Sequence, residues 1–277
     1  MNLCDIDELK PLLSRHGFTF SKGLGQNFLC DESVPENIAE NADIDEDTCV
    51  LEVGPGVGAL TQELLKRAKS VTAVELDARL FPLLAETVGK SDAFSLVHGD
   101  ILKVNIKEIC AGFSSEKAVA CANLPYYITT PAITALLESG CFKTVTVMVQ
   151  REVAERICAH PGGRDYGAFT LLVNYYAEAE IILNVGRECF IPQPNVDSAV
   201  VRMRIREKPP VSCDKAELKR LISAAFSQRR KTLVNCLKQI TDKENAQKAI
   251  EKCGFLPTVR GEELSLAQYE QLLNNLK

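Results

Sequence analysis

Residues 51–61, LEVGPGVGALT, set three glycines at 54, 56 and 58 between a β-rich run and a helical one. Lacking a Cβ, they let the backbone turn tightly and come close to a ligand. A dinucleotide fingerprint would place a pyrophosphate at such a turn, on the N-terminus of the following helix. Two residues speak against that. Pro55 removes an N–H donor, and Glu52 puts a carboxylate just before the loop, where it repels a pyrophosphate and suits a cation. Further acids close the next two β-rich runs. Glu75 in VTAVELD stands 21 residues after Gly54, poised to accept two hydrogen bonds from a ribose diol. Asp100 in HGDIL can accept from an adenine amino group. One acid at such a place is commonly a turn or cap residue. Three successive strand ends carrying glycines, Glu75 and Asp100 point to a ligand site, because open α/β sheets bind at the carboxyl ends of their strands.

The elements that must hold these residues alternate along the chain. Strands are expected at 49–53, 71–76, 93–99, 118–124 and 143–150, and helices near 59–68, 78–88 and 129–138. This alternation predicts an α/β domain with a mostly parallel, doubly wound sheet, and the nearly continuous apolar strand runs fit strands covered on both faces. A helix is expected from Arg151 and another over FTLLVNYYAE, with AEIILNV and DSAVVRMRIR closing the sheet. Pro209 and Pro210 make REKPPVSCD a linker. Beyond it lie four helical patterns, KAELKRLISAAFSQ, RKTLVNCLKQI, KENAQKAIEKCG and SLAQYEQLLNNLK, so the expected domains are 1–206 and a small all-helical 207–277.

NLPYYIT (123–129) follows the fourth strand and resembles the (N/D/S)-P-P-Y signature of methyltransferases acting on nucleobase amines. An adenine N6 is a poor nucleophile because its lone pair is delocalised into the ring. The Asn123 side-chain oxygen and the Leu124 carbonyl can each accept one N6 hydrogen, favouring a more tetrahedral nitrogen. Pro125 stiffens the turn, and Tyr126 can stack on an extruded base.

Taken together, the sequence resembles the KsgA-type rRNA adenine dimethyltransferases nearly end to end. The likeness runs through KGLGQNFL (22–29), LEVGPGVGALT, VELD, GD, NLPYYIT, QREVAERI (150–157), FIPQPNVDSAVVR (190–202) and FSQRRKTLVN (226–235). It implies a class I, Rossmann-like methyltransferase fold that uses S-adenosyl-L-methionine and dimethylates two adjacent adenosines in the 3′-terminal hairpin loop of 16S rRNA, in the 30S subunit or its precursor. Carried over by position, the cofactor contacts fall on Asn27, Leu29, Gly54, Glu75, Asp100 and Asn123. Phe190 matches the aromatic that sandwiches the target base against Tyr126. The sequence departs from the family in carrying Ser21-Lys22 where two basic residues are common. The alternatives are an Erm-type 23S rRNA methyltransferase and an assembly factor that acts mainly by binding the small subunit; a small-molecule methyltransferase fits less well.

Residues 206–277 hold 14 Lys and Arg against 9 Asp and Glu, whereas 1–205 hold 18 against 28. An acidic body with a basic C-terminal quarter suggests a polyanion contacted from one side. Arg229, Arg230 and Lys231 in FSQRRKTL gather three charges at an expected helix junction, suited to phosphate contacts. Basic residues at a helix end also favour the macrodipole, and both roles can coexist.

The chain has 277 residues, 46% hydrophobic and 25% charged, an ordinary globular composition. No stretch approaches the roughly 20 apolar residues that cross a bilayer, and the first residues lack a secretory h-region, so the expectation is a cytoplasmic protein; nothing suggests an obligate dimer, and a monomer is the expectation. Eleven cysteines at least eleven residues apart form no CxxC pair, and three scattered histidines suggest no metal site.

Overall fold

The computed structural model describes residues 1–21, 25–113, 117–228 and 230–276. Two compact units emerge, one of residues 1–154 and 179–205, the other of 155–178 and 206–277. The expected boundary at 206 is therefore one crossing of several. Segment 155–178, assigned from sequence to the first domain, groups with the C-terminal helices. The reason is a shared core: Tyr166 and Leu171 are fully buried among Leu218, Leu221, Leu233 and Tyr269.

In the first unit, helix α1 (Ile6–Arg15) opens the chain; Asp5 caps it by accepting from the Asp7 N–H. A two-residue strand β1 (Phe28–Leu29) and α2 (Ser33–Glu40) follow. The α/β alternation then runs β2 (Cys49–Val53), α3 (Ala59–Leu65), β3 (Ser70–Glu75), α4 (Phe81–Thr87), β4 (Phe94–His98), a single-turn α5 (Ile106–Ile109), β5 (Ala118–Asn123), α6 (Thr129–Ser139) and β6 (Thr144–Gln150). After α7 (Arg151–Ile157) and α8 (Ala168–Tyr176) come β7 (Ala177–Val185), a short β8 (Phe190–Ile191) and β9 (Ser198–Ile205).

Seven strands form one sheet in the order β4-β3-β2-β5-β6-β9-β7. Strands β4, β3, β2, β5 and β6 pair in parallel, and β9 joins β6 antiparallel from Thr144↔Arg204 to Gln150↔Ser198. Every residue of β2 is buried, as are all but the last of β5 and β6, as expected of strands covered on both faces. The chain builds outward from β2 to β4, then returns to lay β5 on the other side of β2. That reversal leaves a crevice beyond the carboxyl ends of β2 and β5, the switch point where ligands of such sheets bind. Outside this sheet, β1 pairs antiparallel with β8, Leu29 opposite Phe190.

The second unit adds α9 (Lys215–Ala225), α10 (Leu233–Leu237), α11 (Lys243–Lys252) and α12 (Leu266–Leu276) to α8. Asp214 and Asp242 cap α9 and α11 by accepting from the Glu217 and Asn245 N–H groups. Buried Tyr166 donates its hydroxyl to the Leu264 carbonyl at 2.9 Å, so its one polar atom is satisfied inside the core. All eleven cysteines are free thiols.

Candidate active site

A cavity of about 440 Å³ opens at the switch point. Its floor is the glycine turn after β2. Gly54, Gly56 and Gly58 all have positive φ, which a Cβ disfavours. Gly54 donates to the Val74 carbonyl at 2.9 Å, pulling the turn against β3. A Cβ at Gly56 would also meet the Phe28 ring at 3.3 Å, so the glycine is fixed by backbone and space together.

Beneath the turn lies Glu52, 1% exposed, accepting a hydrogen bond from the Thr61 hydroxyl at 2.6 Å. Burial pushes its carboxyl up to about 8; the Thr61 bond opposes the rise and the charge of Glu75 adds to it. Glu75, also buried, accepts from the Asp77 N–H at 2.8 Å and from the Gly56 and Leu76 amides. Burial still raises its pKa, because those bonds only partly replace lost water. Asp100 is more open. It accepts from the Leu102 N–H at 3.0 Å and lies 3.4 Å from Lys103 Nζ.

The opposite wall is the NLPY turn. Asn123 ends β5, and its Nδ2 donates to the Asn27 carbonyl at 3.4 Å, which directs Oδ1 away from that contact. Leu124 is 1% exposed and donates its N–H to the Met148 carbonyl at 3.2 Å, anchoring the turn to β6. Thr129 closes the turn by donating to the Tyr126 carbonyl at 3.1 Å. The Tyr126 hydroxyl meets Ser198 Oγ at 2.8 Å. The lead-in segment, residues 25–29 before α2, is tied down by Gln26, whose Nε2 donates to Asp77 Oδ2 at 2.7 Å. Asp77 itself is held by Arg79, whose guanidinium keeps the carboxyl below its usual range.

All nine residues proposed from sequence for cofactor and base line this one cavity: Asn27, Leu29, Gly54, Glu75, Asp100, Asn123, Leu124, Tyr126 and Phe190. Among the described residues lining it stand three acids, Glu52, Glu75 and Asp100, of which Glu52 is held protonated at neutral pH by burial, and no Lys, Arg or His. Such a wall repels a polyphosphate and fits a nucleoside bearing a sulfonium and an ammonium.

The family model for ribosomal RNA adenine dimethylase matches residues 17–277. The chain belongs to the ribosomal RNA adenine dimethylase family. It is 48% identical over 276 residues to ribosomal RNA small subunit methyltransferase A of Clostridium perfringens, covering 97% of this chain and 96% of that one. Identity to the protein of that name in Geobacillus thermodenitrificans is 45%, over 96% and 94% of the two chains. Among solved structures, a dimethyladenosine transferase from Plasmodium falciparum superposes with a TM-score of 0.72 at 25% identity, over 88% of this chain and 95% of that one. The 23S rRNA methyltransferase ErmE superposes with a TM-score of 0.69 at 28% identity, over 90% and 99%. This dimethylase is thus a Rossmann-like methyltransferase, and its methyl donor is S-adenosylmethionine.

The basic cluster of the dimethylase lies elsewhere in the chain. Arg230 and Lys231 are exposed in the turn between α9 and α10, where Lys231 N–H donates to the Gln228 carbonyl at 2.9 Å. Arg229 and Lys22 lie outside the described residues. Sequence reasoning missed Thr61, Ser198, Gln26 and Asp77. Thr61 bonds Glu52 across 9 positions, Ser198 bonds Tyr126 across 72, and Gln26 bonds Asp77 across 51, while Asp77 in turn donates its N–H to Glu75; no local pattern reports the long-range pairings. No group of His, Cys, Asp or Glu among the described residues could hold a metal ion, and no described helix is long and apolar enough to cross a membrane.

Proposed function

We propose that this enzyme dimethylates N6 of two adjacent adenosines in the 3′-terminal hairpin loop of 16S rRNA, on the small subunit or its precursor. The observation that carries the small-subunit choice is the 45–48% identity, nearly end to end, to proteins named for that subunit, against 28% to ErmE. The reading places the protein in the cytoplasm, working as a monomer, with the basic cluster Arg229, Arg230 and Lys231 on rRNA phosphates.

The residue roles are those the family resemblance implies, supported by the convergence of these residues on one cavity. Glu75 takes the ribose hydroxyls of the donor and Asp100 its adenine amine; Gly54 leaves room for the methionine portion, and Asn27 and Leu29 close over it. The donor supplies an electrophilic methyl carbon on a sulfonium. In the first transfer Asn123 Oδ1 and the Leu124 carbonyl accept the two N6 hydrogens, and in the second one of them accepts the hydrogen that remains, drawing the lone pair out of conjugation with the ring. Tyr126 and Phe190 clamp the extruded adenine between aromatic faces. Rate comes mainly from positioning. A titrating base is unnecessary, since the N6 proton becomes acidic as the nitrogen gains carbon.

Incubation with labelled S-adenosylmethionine and undermethylated 30S subunits, beside 50S subunits and 23S rRNA, tests this. N6,N6-dimethyladenosine confined to the 16S hairpin is expected. Label in 23S rRNA would transfer the enzyme to the ErmE-like reading. Tight 30S binding without label would leave only an assembly role.

A further inference from the structure

Seven large apolar side chains stand exposed among the described residues, and three of them, Leu76, Leu102 and Tyr127, rim the mouth of the same cavity. Isolated exposed hydrophobes are ordinary; clustered at the lip of a binding site, they mark a surface covered in the working complex. Tyr127 is the largest of the three and is 55% exposed. It shares one helical turn, Tyr126–Ile128, with the tyrosine directed into the cavity. The Gly25 backbone passes beside its ring. A Cβ built on Gly25 would lie 3.5 Å from Tyr127 Cδ1, so the lead-in backbone runs against the ring. Gly25 has φ of +60°, a conformation that leaves this close approach to glycine.

We infer that Tyr127, with Leu102 beside the same opening, is the stacking platform for the nucleotide next to the target adenosine. This rests on the rRNA adenine reading of the cavity. The two tyrosines then divide the work: Tyr126 faces the base inside, Tyr127 its neighbour at the lip. The occupant is a nucleobase because Tyr127 shares its turn with Tyr126, which is proposed to face the target base. A single-stranded loop with one base extruded leaves the flanking base unstacked, and an aromatic face recovers that stacking whatever the base.

The test compares wild type with Tyr127→Ala, Tyr127→Leu and Tyr127→Phe, on whichever rRNA particle the wild type labels. If the wild type labels 23S rather than 16S rRNA, the subunit assignment falls while the platform is still measured. For Tyr127→Ala, KM for the particle should rise about five- to hundredfold, the range expected for losing one base–aromatic stack. Tyr127→Phe should restore the wild-type value, and Tyr127→Leu should fall between. Donor affinity and melting temperature should stay at wild-type values. The salt dependence of binding should also keep its slope, since stacking releases no counterions. A fall in donor affinity with an unchanged KM for the particle would make Tyr127 a cover for the cofactor and overturn the inference. So would an alanine variant indistinguishable from wild type.

Discussion

The Tyr126 hydroxyl lies 2.8 Å from Ser198 Oγ, and Ser198 is fully buried at the first position of β9. The ring that would carry the target adenine is thus held at both ends, by the NLPY turn and by a strand 72 residues further on. Replacing Tyr126 by Phe removes the tether and keeps the stacking face. Turnover should fall by about two- to tenfold, the worth of one neutral hydrogen bond. Tyr126→Ala should fall by a further five- to hundredfold, about the worth of a stacked base. Steady-state methyl transfer by the two variants checks this; equal losses would mean the hydroxyl does all the work.

Asn123 offers a different kind of test, because its amide holds the lead-in segment as well as facing the cavity. Asn123→Ala should lower single-turnover methyl transfer by about 10²–10³-fold, as losing a preorganised polar partner of the transition state does elsewhere. The melting temperature should shift by only a few degrees, since the bond to Asn27 is long at 3.4 Å. An active alanine variant would remove Asn123 from the mechanism.

Glu52 predicts a pH dependence. Burial raises its carboxyl from the ordinary 4.5 to about 8. The folded chain therefore holds a proton across that window which the unfolded chain releases. Stability from this group is full below about 4.5 and drains away as pH rises toward about 8. Glu52→Gln should flatten the fall in melting temperature over that window. A variant with the wild-type slope would show that another group titrates. A cationic ligand favours the charged carboxylate, so wild-type donor affinity should rise with pH over the same range.

The proposed role of the basic cluster is separable from the chemistry. Changing Arg229, Arg230 and Lys231 together to Gln should weaken binding to the ribosomal particle. The slope of log K against log salt should drop by about 0.7–0.9 for each phosphate that is no longer neutralised. Donor affinity, measured by calorimetry, should not change. A weaker donor complex would contradict the division of labour between cavity and cluster.

What could be read from residue types alone was whatever is local. The runs CVLEV and TVTVMVQ became β2 and β6 because continuous apolar stretches bury on both faces of a sheet. Glu75 and Asp100 were found because strand ends converge wherever parallel strands neighbour each other. The helices α1 and α2 were not anticipated, nor was the β1–β8 pair, whose two-residue strands are too short to show a period. The boundary at 206 followed the prolines of REKPP. It overlooked 155–178, because Tyr166 and Leu171 look like any buried apolar residues until their partners are known. Glu52 was noticed as a charge, but its burial beneath Thr61 depends on how α3 lies against β2.

The split composition of the second unit sets an order of events during synthesis. Tyr166 bonds to Leu264, 98 residues downstream, so α8 leaves the ribosome well before the helices that enclose it. At about 5–20 residues per second the wait lasts roughly 5–20 s. During it, β9 is completed and the seven-stranded sheet can close. The first unit can therefore fold around an unfinished excursion of its own chain, so that its cavity is assembled on the nascent protein before α9 to α12 exist.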